Sequence, residues 1–263
     1  MDLGENKNWA EQTALSFDAV EKAYGEFCLG PLTLKLPAGC VTGLVGENGA
    51  GKTTLMKLAL GMVIPDRGTV SCLDFDPVRE GKQARKDVRV VFGELQIPGN
   101  FTAQMAGDFW QGIYENFDRD YFKRLQERFA IPGNKPIRRF SAGMKAKLAL
   151  AGAVSPHPRL LILDEPLSSL DPLAKEEAME MLRELGGEEI SVLISSHTVA
   201  DLEKLADYLA FLHSGNLFLF EEKDRLLERY RAVQGTEGAL KGLREQNVRL
   251  IGMRRGAFGS WAV

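Results

Sequence analysis

The 263-residue chain contains no run near the roughly 20 consecutive apolar residues that a helix needs to cross a bilayer. Its start, Met1-Asp2-Leu3-Gly4-Glu5, lacks the basic segment and apolar core of a secretory signal. The expected location is the cytoplasm, and any attachment to the inner face of the cell membrane has to come through a partner. Cysteine is scarce: Cys28, Cys40 and Cys72 show no C-x-x-C spacing, which excludes a disulfide framework and a zinc site of the usual pattern. They read as small buried hydrophobes in a reducing compartment. An excess of positive charge is missing as well, with a net charge of −3 and a pI of about 5.8. That argues against a broad nucleic-acid-binding surface, and no nucleic acid partner is expected. No internal repeat, low-complexity segment or Asn-Lys-x-Asp guanine motif occurs.

What is present is organised around Gly46-Glu47-Asn48-Gly49-Ala50-Gly51-Lys52-Thr53-Thr54. The stretch fits G-x-x-x-x-G-K-[ST], with a strand-like run over 40–45 before it and a helix-like run over 54–60 after it. Glycines let successive backbone N–H groups converge on phosphate oxygens, at a helix start whose partial positive charge favours an anion. Lys52 brings a full charge to the β- and γ-phosphates, and the Thr53 hydroxyl is a ligand for Mg²⁺. Gly46, Asn48, Gly49, Ala50, Gly51 and Thr54 complete the cradle, so ATP and Mg²⁺ are the expected ligands.

Residues 15–36 read as short strands broken at Tyr24-Gly25 and Gly30-Pro31. An aromatic here can stack on a nucleotide base, Tyr24 first and Phe27 second; packing within a sheet explains either equally well. A turn cluster over 61–68 leads to a short strand at 69–73, and 88–92 is an apolar strand bound for the main sheet. Aromatics then crowd residues 94–133, with Asp118 as a helix N-cap and Phe122, Leu125 and Phe129 on one helical face. This is a helical insert whose aromatics form either its own core or a surface for a partner. A helix opens near Arg138 and runs through Ala153; helices at 173–185 and 201–206 alternate with strands at 159–166, 190–194 and 208–212. Four parts follow: 1–93, the start of an α/β nucleotide-binding core with an antiparallel β subdomain; 94–153, the insert; 154–220, the rest of the core; and 221–263, a charged, helical, then glycine-punctuated extension.

Asp164 follows four apolar residues at the carboxyl end of its strand, the edge where open α/β sheets bind ligands. A carboxylate there can hold Mg²⁺, and the adjoining Glu165 can orient a water for attack on the γ-phosphate. At this point the chain resembles the ATPase subunits of ATP-binding cassette (ABC) transporters, over about residues 15–220 and in that family's usual motif order. Phe140-Ser141-Ala142-Gly143-Met144 is similar to the family signature Leu-Ser-Gly-Gly-Gln, differing at Phe140, Ala142 and Met144. Ser168-Ser169-Leu170-Asp171 resembles the loop after the second carboxylate, and His197 matches the switch histidine.

The resemblance implies a P-loop NTPase core of the ABC ATPase type and a head-to-tail dimer with a second ATPase subunit, identical or related. ATP lies between the phosphate loop of one subunit and Ser141, Ala142 and Gly143 of the other, Asp171 connects the two sites, and His197 contacts the γ-phosphate. It also implies an integral membrane permease as a separate chain, and the Gly-Met signature variant is most like ABC-2-type exporters. The family's usual glutamine after the strand entering the insert is missing: the position falls near Gly93 or Glu94. Glu94 is an oxygen donor that can replace it at the metal, and Gln96 is less well placed. The alternative, a soluble ABC ATPase regulating nucleic acid or ribosome, is opposed by the single cassette and the acidic balance.

Overall fold

Three wholly buried strands set the architecture: Val41–Val45 (β3), Leu160–Asp164 (β6) and Ser191–Ser196 (β7). Continuous apolar strands of this kind belong to a parallel sheet covered on both faces. The computed structural model describes residues 12–93, 95–168, 170–185 and 190–230, with 233–236, 239, 253–256 and 259–262. In it β7 lies between β6 and β3, with Val88–Phe92 (β5) beyond β6, and Tyr208–His213 (β8) then Asn216–Glu222 (β9) beyond β3. The pairings from β5 through β8 are all parallel, so the ends of β3, β6 and β7 share one edge.

A second, antiparallel sheet orders Phe27–Pro37 (β2), Thr13–Tyr24 (β1) and Arg67–Cys72 (β4). The turn after Tyr24 is formed, but the break expected at Gly30-Pro31 is not, because β2 runs through it. Gly30 is needed for close approach rather than chain reversal: at φ +90° a Cβ would stand 2.0 Å from the Val20 carbonyl oxygen, and its N–H donates to Gly215 O at 2.7 Å. Phe17, Leu29 and Leu36 of this sheet share a core with Leu55, Met56 and Leu58 of the helix Lys52–Ala59 (α1).

Gly81–Lys86 (α2) precedes β5, and the insert contains Ala103–Ile113 (α3), Arg119–Arg128 (α4) and Ala142–Val154 (α5). Asp118 caps α4, accepting from Tyr121 N–H at 2.7 Å. That bond and then the His157 contact hold its carboxyl below the ordinary value. The helix expected from Arg138 starts later. Ile137–Arg139 forms a single 3₁₀ turn, and Ser141 caps α5 by accepting from Met144 N–H at 3.2 Å. The insert's aromatics are mostly its own core: Trp110, Phe117 and Phe122 have ring centroids 5.5–6.5 Å apart. A Cβ at Gly152 would meet Trp110 at 2.4 Å.

Pro172–Leu185 (α6) and Val199–Glu203 (α7) follow β6 and β7. The latter starts before the expected 201–206 and ends earlier, at Glu203, with Asp201 in its first turn, where a carboxylate favours the helix N-terminus. Cys72 is buried and its thiol is pushed up to about 12 by desolvation, as expected of an inert core residue. Cys28, in contrast, is exposed on β2. Glu221–Val263 forms a separate unit, with the helix Lys223–Arg229 (α8) and a small sheet of Val233–Gly235 (β10), Gly259–Ala262 (β12) and Met253–Gly256 (β11). Those strands were not expected, since segments of 3 and 4 residues are too short to display alternation. Among the described residues no helix is long and apolar enough to cross a membrane.

Phe122 is 1% exposed and anchors the aromatic cluster. Phe122→Ala is expected to cost about 3–5 kcal/mol, read as a lowered midpoint in urea denaturation.

Candidate active site

The loop after β3 is shaped by residues that only glycine serves well. Gly49 and Gly51 lie at φ +81° and +107°, and a Cβ at Gly46 would stand 2.6 Å from Leu212 O. Gly51 supplies no side-chain cap to α1, and the helix has no acidic residue in its first turn. Its first N–H groups therefore keep their positive end for an external anion. Lys52 is only 6% exposed, and its ammonium donates to Gly46 O at 2.6 Å and Glu47 O at 3.2 Å. The loop lines a cleft of about 430 Å³ together with Phe27, Asp164 and Glu165.

Two carboxylates at the end of β6 face this loop in different ways. Asp164 accepts from Thr53 Oγ1 at 2.6 Å and from Ser195 Oγ at 2.7 Å. Ser195 in turn accepts from Glu165 N–H at 2.9 Å, so one hydroxyl at the end of β7 positions both acidic residues. Glu165 has φ +52°, a left-handed conformation that costs an L-residue about 1–3 kcal/mol and turns its side chain out of the strand register. Its Oε2 is 2.8 Å from His197 Nδ1, and its Oε1 is 3.1 Å from Lys52 Nζ. The Lys52 contact is an ion pair without hydrogen-bonding alignment, and Oε1 is a buried acceptor with no aligned donor. Burial opposes the charge on Glu165, but His197 and then Lys52 outweigh it, and the carboxyl stays below its ordinary range. It is therefore ionised at neutral pH, as a proton acceptor must be.

Of the other residues singled out by sequence, Phe27 lines the cleft, while Tyr24 stands across the β1–β2 turn, half exposed, and is not part of its wall. Ser141 and Ala142 are exposed at the start of α5. Gly143 is buried, and a Cβ there would be 2.4 Å from Ala174 Cβ, so its small size is demanded by α6 within this chain. Asp171 is exposed and caps α6, accepting from Leu173 and Ala174 N–H at 3.1 and 3.0 Å. Glu94 and Ser169 lie outside the described residues. Sequence reasoning missed Ser195. The only signal was a pair of serines closing a strand whose middle, Val192-Leu193-Ile194, is apolar.

Thr53 Oγ1 and Asp164 Oδ2 are adjacent oxygen donors of the kind a hard divalent cation takes, and they fit Mg²⁺. No group of three or more metal-ligating acids, histidines or cysteines occurs among the described residues. Such a site would therefore draw on phosphate oxygens and water as well.

Residues 29–168 match the family model described as ABC transporter. Among relatives, the chain is 31% identical over 217 residues to the lantibiotic transport ATP-binding protein SrtF of Streptococcus pyogenes, covering 80% of this chain and 91% of that one. It is 32% identical over 242 residues to the Nod factor export ATP-binding protein I of Bradyrhizobium sp. (strain SNU001), covering 88% and 79%. A solved ATP-binding subunit of an ABC transporter superposes with a TM-score of 0.73 at 25% identity, over 82% of this chain and 93% of that one.

Removing the Ser195 hydroxyl strips one bond from Asp164 and leaves the Glu165 amide without its acceptor. Ser195→Ala is expected to cost about 1–3 kcal/mol in denaturant titration. Steady-state ATPase assays should show kcat falling more than KM rises, because the misplaced groups are the two acids that line the cleft with the loop.

Proposed function

We propose that this chain, which belongs to the ABC transporter family as an ATP-binding and ATP-hydrolysing subunit, drives export through a separate membrane permease. The observation that carries the reading is the convergence, at one edge of one sheet, of the phosphate loop, Asp164, Glu165 and His197. No single one of these implies hydrolysis. Together they supply a phosphate cradle, metal-facing oxygens and an ionised base.

Bound ATP takes the loop N–H groups and Lys52, whose ammonium exchanges its contact with Glu165 for phosphate oxygens. Glu165 Oε1, already lacking an aligned donor, then accepts a proton from the attacking water. His197 holds Oε2 and fixes the direction of that acceptor. Thr53 and Asp164 would hold Mg²⁺, which would supply positive charge beside the phosphates. Phe27, which lines the cleft, stacks on the base.

Exposure of Ser141, Ala142 and Asp171 supports the dimer, since residues placed at two helix starts do not line the phosphate-loop cleft of their own chain. The signature then completes the site of a second subunit, and closure on ATP is the power stroke. Export is supported by the relatives named for lantibiotic transport and Nod factor export. They do not favour a soluble regulator of nucleic acid. A permease docks on the side of the insert where Phe109 and Ile113 stay 46% and 55% exposed.

Glu165→Gln is expected to keep ATP affinity while turnover falls about 10²–10⁴-fold in a single-turnover assay. Near-normal hydrolysis would refute the base assignment. In that background ATP should produce a dimer on size-exclusion chromatography, and adding Ser141→Arg should abolish it; a persisting dimer would exclude the signature-to-nucleotide contact.

A further inference from the structure

His197 reaches Glu165 from the turn between β7 and α7, so its aim depends on what holds that turn. The β7 side is fixed by the sheet: Ser196 O accepts from Gly46 N–H at 3.3 Å, and Ser196 Oγ accepts from Thr198 N–H at 2.9 Å. The α7 side has little of its own. That helix is 5 residues long, Thr198 gives it no side-chain cap, and Leu202 is its sole buried residue. Leu202 packs over β3, where a Cβ at Gly43 would stand 3.0 Å from Leu202 Cδ1. A single apolar anchor leaves so short a helix free to pivot.

The second anchor is ionic. Lys175 Nζ on α6 meets Asp201 Oδ2 at 2.9 Å, with the two side chains only 27% and 13% exposed. That shielding spares the attraction much of the screening a surface pair suffers. Lys175 stands on a firm base, because α6 is held to α5 by Ala174 against Gly143 and by Lys147 against Glu177 at 2.7 Å. Beside it, Glu176 and Lys204 approach to 3.6 Å with the signs reversed, both exposed. The alternation selects one register of α7 on α6, since a slip of one turn brings Lys204 towards Lys175. Asp201 lies about one helical turn beyond His197, so whatever holds Asp201 also sets the imidazole.

We infer that Lys175 and Asp201 are positioning residues for ATP hydrolysis: their ion pair sets α7, and through it His197, against Glu165. Neither residue lines the phosphate-loop cleft, so the pair acts on turnover and leaves nucleotide binding alone. A misplacement of about 1 Å at a reacting group can cost about 10²-fold in rate, which makes a loosened α7 a measurable fault. This rests on the reading of Glu165 as base and His197 as its support, and adds the residues that hold the support in place.

Full-chain variants are assayed for ATP turnover in steady state and in single turnover, with ATP affinity and thermal midpoint measured alongside. Lys175→Met is expected to lower kcat about tenfold while KM moves less than about twofold, and Asp201→Asn to match it. Lys204→Met, which breaks the exposed pair beside it, should leave kcat at the wild-type value. In a His197→Ala background, Lys175→Met should lower the residual single-turnover rate no further. Should Lys175→Met melt early, Asp201→Asn, which keeps the volume of the side chain, takes its place in every arm. Wild-type kcat in Lys175→Met or Asp201→Asn, an equal loss in Lys204→Met, or an additive loss in the His197→Ala background overturns the inference and spares the reading of His197. Undiminished turnover in His197→Ala alone overturns that reading, and the inference with it.

Discussion

The Asp164 carboxylate is the tie on which the site depends. One oxygen accepts from Thr53 at the start of α1, and the other from Ser195 at the end of β7. Asp164 itself closes β6, so a single side chain joins the outlets of three strands that neighbour one another in the sheet. A 9%-exposed carboxylate needs such partners to remain buried, and the partners need it to hold their own orientation. The same Ser195 hydroxyl carries the tie to the Glu165 amide, where the backbone takes its left-handed turn. The strained residue is thereby fixed on both sides, which is the condition under which strain persists at a functional site.

Much of this was legible in the sequence, because the phosphate loop and the strand-end carboxylates each require fixed residue types at fixed spacing, and the buried parallel strands announce themselves as apolar runs. What remained hidden depended on neighbours distant in the chain. Ser195 looked like a strand exit, although it lies 31 residues from the carboxylate it serves. Gly30-Pro31 looked like a turn because the close Val20 carbonyl is not a local feature. Cys28 was expected inside, but its position on β2 turns it outward. His197 is expected at the γ-phosphate from its place after β7, but the spacing gave no sign of its contact with Glu165.

The insert shows the same division between local and distant information. Helical spacing correctly grouped Phe122, Leu125 and Phe129 on one buried face, since i, i+3 and i+7 positions project together. That spacing could not separate Trp110, packed on Gly152, from Phe109, one position earlier and half exposed. Arg89 was equally silent: one charge in an apolar strand reads as an outward-facing residue until Tyr114 is seen to cover it. Contacts between distant segments therefore decide which apolar and charged groups are covered and which stay exposed.

The contact between Gly143 and Ala174 bears on how variants of the signature would be interpreted. A Cβ at position 143 overlaps α6 before it could reach any ligand, and α6 is the helix that Asp171 caps. Two residues named for the same intersubunit contact are thus mechanically joined within one chain. A mutational screen scored on growth would merge two kinds of failure at position 143, a displaced helix and a lost nucleotide contact. Ser141, exposed at the cap of α5, is where those two kinds of information come apart.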